Sequence, residues 1–201
     1  RLNSGGSYGV DLNRNYSYGW GTTGTSSTQS NETYRGTAAF SEPETQAMKW
    51  FCENRDFQYA FNSHTYANDI LHPIGTTTAE FAVDHNYFQA FTHHMVQYNG
   101  YENKKSSDLY PASGDSDDYM YKVDTVIKPK IFAMTPEVSN TSGGFWPASN
   151  EITGICQDMV FPNLVLSHLT HRYLEVKDID PGMVPASTGN FNHSAYRLGL
   201  E

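Results

Sequence analysis

Asn13 and Arg14 stand side by side in Gly9-Val10-Asp11-Leu12-Asn13-Arg14-Asn15-Tyr16, where a short apolar-alternating run delivers an amide, a guanidinium and a second amide. The planar fork of Arg14 can hold a carboxylate bidentately, and Asn13 adds a donor without adding charge. An arginine salt-bridged at a strand end is the plainer alternative. Glu137 emerges from the apolar run Ile131-Phe132-Ala133-Met134. Burial there raises a carboxyl pKa toward the range a general base needs, and a buried Glu without a task is costly. His64 follows a strand-like run, at the kind of edge where α/β sheets bind ligands; a hydrogen-bonded strand-end histidine is the other reading. Asp117 lies in an acidic, small-residue loop, where it serves either as a pocket carboxylate or, with Asp118, as a helix cap.

Several elements must position these groups. Ser41-Glu42-Pro43-Glu44 reads as a capping box with Ser41 as N-cap, predicting a helix to about Asn54 with Ala47, Met48, Phe51 and Cys52 on its buried face. Residues 56–63 read as a buried strand and Ala79 to Asn99 as a helix with Phe81, Phe88, Phe91 and Met95 inward. Residues 107–119 form a loop suited to closing over a ligand. Lys130 to Met134 is the next strand, and a closing helix spans Gly154 to Glu175 with a kink at Pro162. Residues 176–201 read as a linker and a strand of a downstream unit.

With 13 basic and 22 acidic residues in 201, the formal charge of -9 argues against a nucleic-acid or anionic-membrane surface. No apolar run approaches the roughly 18 residues of a membrane span. Cys52 and Cys156 lack metal-type spacing and read as small buried hydrophobes. Asn-x-Ser/Thr triplets at Asn15, Asn31, Asn140 and Asn192 read as chance in an Asn/Ser/Thr-rich chain.

The stretch containing Asn13-Arg14 resembles the Asn-Arg element of the zinc carboxypeptidases of the A/B type, and the order Asn13-Arg14, His64, Tyr110, Asp117, Glu137 is similar to theirs over roughly Gly9 to Leu174. That resemblance implies an α/β fold, a mixed, mostly parallel sheet flanked by helices on both faces and lacking its N-terminal part. It implies a metallocarboxypeptidase acting on a peptide with a free C-terminus, its carboxylate gripped by Asn13 and Arg14. His64 would be a zinc ligand, Tyr66 would line the groove after a cis Thr65–Tyr66 bond, and Tyr110 would swing over the terminal residue. Glu137 would take a proton from water and pass it to the departing amine. An aspartate at Asp117 resembles the branch that prefers C-terminal Lys or Arg, while Asp115 stands where a glycine is more usual.

The family takes its other two zinc ligands from a His-x-x-Glu motif, and no His in this chain has Glu three residues on. The carbonyl-polarising arginine also belongs upstream, and Arg1 falls after that region. The expectation is therefore the C-terminal two-thirds of a catalytic domain over residues 1–175, from a secreted or periplasmic parent with a further downstream domain, inactive by itself. A cell-wall peptide carboxypeptidase and a catalytically dead carboxylate-binding module are the alternatives.

Overall fold

The computed structural model describes residues 9–122, 126–139 and 144–170, and the backbone of 173–179 and 193–198. In chain order the elements are α1 (Pro43–Glu53), β1 (Tyr59–Phe61), β2 (Asp69–His72), α2 (His85–Met95), β3 (Glu102–Lys105), α3 (Ser106–Leu109), α4 (Ser116–Lys122), β4 (Phe132–Glu137), α5 (Ile152–Asp158), α6 (Val160–Leu169), β5 (Tyr173–Ile179) and β6 (His193–Leu198). Strands β1 to β4 form one sheet in the order β1-β4-β2-β3. β1 runs parallel to β4 and β2 parallel to β3, while β2 and β4 are antiparallel. The mixed, mostly parallel sheet implied by the resemblance is thus present.

Side-chain alternation along β4 explains why helices cover both faces. Phe132 and Met134 pack with Phe88, Phe91 and Met95 of α2 and with Val165 and Leu169 of α6. Ala133 points the other way, into a cluster with Cys52 of α1 and Tyr119 and Met120 of α4. Each such buried large side chain contributes about 2 kcal/mol of apolar burial. Thr135 and Glu137 continue the α4 face of the strand, so the same period that builds the core aims two polar groups at one place.

The elements depart from the sequence reading where tertiary contacts override local pattern. Ser41 is not the N-cap of α1; Glu42 holds that position without a side-chain cap bond. The Ser41 hydroxyl instead donates to Glu42 Oε1 and accepts from Asn15 Nδ2. On α1, Ala47 and Phe51 are exposed and Cys52 is buried; Phe51 lies against Phe57, ring centroids 4.6 Å apart. The helix expected from Ala79 begins only at His85, and Phe81 is left exposed beneath the Lys105 ammonium. Cys156 is exposed, not buried. The single closing helix is two, α5 and α6, separated at Met159, and Pro162 sits in the first turn of α6, where no donor is needed. β5 starts at Tyr173, ahead of the expected boundary at 175, and pairs antiparallel with β6. The triplets at Asn140 and Asn192 lie outside the described residues.

Candidate functional site

Residues Leu12–Arg14 form one 3-10 turn, capped by Asp11, whose Oδ1 accepts from Asn13 N at 3.0 Å. The turn exposes one edge of each flanking side chain to a cleft and commits the other. Arg14 is buried; its Nε donates to Gly24 O at 2.9 Å and its Nη1 to Asn13 O at 2.8 Å. Among the described residues no hydrogen bond engages Nη2. Asn13 Oδ1 accepts from Ser116 N at 3.1 Å, which ties the turn to the start of α4. Next in the chain, Asn15 is fully buried. Its Nδ2 donates to Arg35 O, Ala38 O and Ser41 Oγ, and its Oδ1 accepts from Thr45 Oγ1 and Glu42 N. Asn15 therefore locks the site turn onto α1 and is closed to glycan.

The loop before α4 is docked on the same turn. Tyr16 N donates to Gly114 O at 2.9 Å, and Gly114 has φ +75. A Cβ at Gly114 would stand 2.5 Å from Arg14 O, so the close approach requires glycine there. The first turn of α4 then carries the acidic residues. Asp118 accepts from Gly75 N and from Thr76 N and Oγ1, fixing the 73–76 turn. Asp117 accepts from Asn62 Nδ2 at 2.6 Å and from Thr135 Oγ1 at 2.8 Å, and burial pushes its carboxyl up to about 7. Asp115 Oδ1 accepts from Asp118 N at 2.8 Å, while its Oδ2, sealed from solvent, has no partner. Burial, Asp118 and Asp117 all hold the Asp115 carboxyl well above the usual range.

These groups surround an open cleft of about 420 Å³, lined by Asn13, Arg14, Tyr110, Asp115, Asp117 and Glu137 together with Leu71, Gly75, Ser106, Leu109, Ala112, Ser116 and Thr135. Five residues singled out in the sequence thus meet in one place. Burial, and next the neighbouring Asp69, push Glu137 up to about 7. Asp69 is its register partner on β2. Tyr110 is half-exposed at the rim, its ring centroid 5.9 Å from the Arg14 guanidinium carbon.

His64 and Tyr66 are not part of that lining. His64 bridges to β4 through its backbone, His64 N donating to Pro136 O and Val138 N to His64 O, each at 2.9 Å. Pro136 cannot donate there, and the pairing uses only its carbonyl. The Thr65–Tyr66 bond is cis, and Tyr66 meets Phe145 edge-on at 4.9 Å. Burial holds the His64 imidazole below its ordinary pKa and therefore neutral, the form that ligates zinc. It is one donor only: among the described residues no group of three or more His, Cys, Asp and Glu could hold a metal ion. The residues present do not make a zinc site by themselves. Sequence reasoning missed Asn62 and Thr135; only Thr135, two before Glu137 on a strand, carried a signal in its spacing.

The family model described as zinc carboxypeptidase matches residues 1–161. The chain is 32% identical to zinc carboxypeptidase A 1 of Anopheles gambiae over 154 residues, 72% of this chain and 35% of that protein. It is 30% identical to bovine carboxypeptidase B over 182 residues, 83% of this chain and 40% of that protein. The chain spans well under half the length of these curated relatives. Among solved structures, bovine thrombin-activatable fibrinolysis inhibitor in complex with tick carboxypeptidase inhibitor superposes with a TM-score of 0.74 at 25% identity, over 84% of this chain and 60% of that one. Matched by that family model over most of its length, and sharing the fold of these enzymes, the chain belongs to the zinc carboxypeptidase family.

Proposed function

We propose that this chain supplies the peptide-gripping and proton-transferring half of a metallocarboxypeptidase site. The observation that supports this most directly is the convergence of Asn13, Arg14 and Glu137 on the walls of one cleft. In this reading Asn13 and the open edge of Arg14 hold the free C-terminal carboxylate, which positions the last peptide bond and enforces removal of residues from the C-terminus. Tyr110 closes the rim over the terminal residue, and Tyr66 lines the peptide's approach. A carboxyl poised at about 7 can accept a proton from water and return it to the departing amine at neutral pH, the role assigned to Glu137. Zinc would supply Lewis acidity for this hydrolysis, and His64 is the residue of this chain that would help to hold it. The substrates are peptides with C-terminal Lys or Arg, whose desolvation is repaid by carboxylate in the cleft.

The test uses the full-length, zinc-loaded protein that carries this chain and a set of peptides ending in Lys, Arg or Phe. Release of the terminal residue should be stopped by a chelator and reduced by about 10²–10⁴-fold in Glu137→Gln. Hydrolysis that survives Glu137→Gln within threefold, or cleavage at internal bonds, would overturn the reading. Asp117→Ala should shift preference toward apolar residues; an unchanged preference would remove Asp117 from the pocket.

A further inference from the structure

Residues 96–101 carry the chain from α2 into β3 and include its one Asn-Gly pair, Asn99-Gly100. Asn99 is a tie across the fold. Its Nδ2 donates to Asp158 O at 3.2 Å, where α5 passes into α6, and its Oδ1 accepts from Tyr101 N at 3.0 Å. Tyr101 is buried, and its hydroxyl accepts from Ser139 N at 3.3 Å, two residues past Glu137. One amide side chain thus secures the α5–α6 junction and the tyrosine that holds the end of β4.

The same arrangement prepares Asn99 for reaction with its own main chain. Gly100 is exposed, at φ +70, and an added Cβ there would meet nothing within 4 Å. Among the described residues no hydrogen bond engages its N–H. A glycine nitrogen open to water and free of a partner is the least hindered nucleophile the main chain offers. Beside it stands the Asn99 amide carbon, whose oxygen already faces Tyr101 N–H. Negative charge developing on Oδ1 during attack is met by that donor without rearrangement.

We propose that Asn99-Gly100 is a site of spontaneous main-chain modification, through which this protein acquires aspartate and isoaspartate at position 99 and loses the tie from α2 to Asp158 and Tyr101. Gly100 N gives up its proton and bonds to Asn99 Cγ; the bond from Cγ to Nδ2 breaks, and ammonia leaves with that proton. The product is a cyclic imide. Water opens it at Cγ to give aspartate, or at the main-chain carbonyl to give isoaspartate, whose main chain runs through Cβ. Either product removes the donor to Asp158 O and sets a carboxylate in its place. Isoaspartate also lengthens the main chain by one methylene just ahead of Tyr101, and so displaces the hydroxyl that holds Ser139.

The test is to incubate the full-length protein in warm, mildly alkaline buffer and map it by protease digestion and mass spectrometry, with a synthetic peptide spanning Met95 to Lys104 as reference. Asn99 should convert ahead of the chain's other asparagines and on the peptide's time scale, with the mass gain of an NH-for-O exchange and labelling by protein isoaspartyl methyltransferase. Asn99→Gln, which would have to close a larger ring, and Gly100→Ala, whose Cβ crowds the attacking nitrogen, should stay unmodified over that time. Conversion of another asparagine first, an Asn99 that persists after the peptide has reacted, or equal conversion in Gly100→Ala would each overturn the assignment. The structural consequence is read separately. Asn99→Asp should raise the unfolding equilibrium constant about tenfold, the effect of a hydrogen bond replaced by repulsion, and the converted protein should exchange the Ser139 amide hydrogen about tenfold faster than the parent. Unchanged stability in Asn99→Asp, or unchanged exchange at Ser139, would refute the tie.

Discussion

Asn15→Ala should cost this protein about 3 kcal/mol, a large effect for a residue that touches no ligand. The magnitude follows from its partners. Substitution removes five hydrogen bonds at a position with no solvent exposure, so water does not replace them. The damage is limited because Arg35 O keeps the Trp20 indole, Ala38 O keeps Ser41 N, and the Thr45 hydroxyl keeps Glu42 O. What remains is a set of weakened groups and a small void, each worth roughly 1 kcal/mol or less. Urea unfolding should show a midpoint lowered by about 1.5 M at an m-value near 2 kcal/mol/M. Asn15→Asp should be at least as damaging, because an oxygen would replace the donor that faces two carbonyls. A loss below about 1 kcal/mol in Asn15→Ala would refute the view that this side chain locks the Asn13-Arg14 turn onto α1.

Three further outcomes follow from the geometry. Arg14→Lys should weaken binding of free amino-acid carboxylates by about 30-fold, because lysine cannot donate to Gly24 O and a ligand in one plane; calorimetry reads this, and a change under threefold contradicts the carboxylate grip. Gly114→Ala should destabilise by about 3 kcal/mol or disturb the cleft, since its Cβ meets the Arg14 backbone at positive φ; a normal melting temperature together with normal arginine binding would argue otherwise. Asp117 is raised from 3.8 to about 7 by burial, so the folded state binds its proton over a range where the unfolded state has lost it. Stability from this group is complete below about pH 4 and is lost as pH rises through 7, a loss of about 4 kcal/mol by pH 8; an amide at this position escapes it but forfeits one of the bonds from Asn62 and Thr135, so Asp117→Asn should be more stable than the parent at pH 8 by about 2 kcal/mol. Equal stability of the two at pH 8, with equal slopes between pH 4 and 8, would show that Asp117 does not titrate in this way.

What the sequence revealed, and what it hid, divides along the range of the forces involved. That Asn13-Arg14, Tyr110, Asp117 and Glu137 belong together was legible because their order resembles a known family's, and they do line one cleft; β4 was legible because four apolar residues in succession mark a strand covered on both sides. β3 was invisible: Glu102-Asn103-Lys104-Lys105 has the composition of a loop and pairs as an edge strand because Lys104 reaches Asp69 and Glu102, and Lys105 reaches Thr78 O and Glu80 O. β2 was too short to show a period. Ser41 looked like a helix cap by every local rule, but a partner 26 residues away in Asn15 claims its hydroxyl. The vacant acceptor on Asp115 could not have been read at all, since it depends on which distant donors are already engaged.

The bond from Ser116 N to Asn13 Oδ1 joins residues 103 positions apart. A contact of that span closes late, because the intervening chain must be ordered before the bond repays its entropy. In the proposed reading, the grip on a peptide's end therefore exists only where the segment before α4 has docked on the Asn13-Arg14 turn, and a molecule that has not brought these two distant segments together has no receptor to offer.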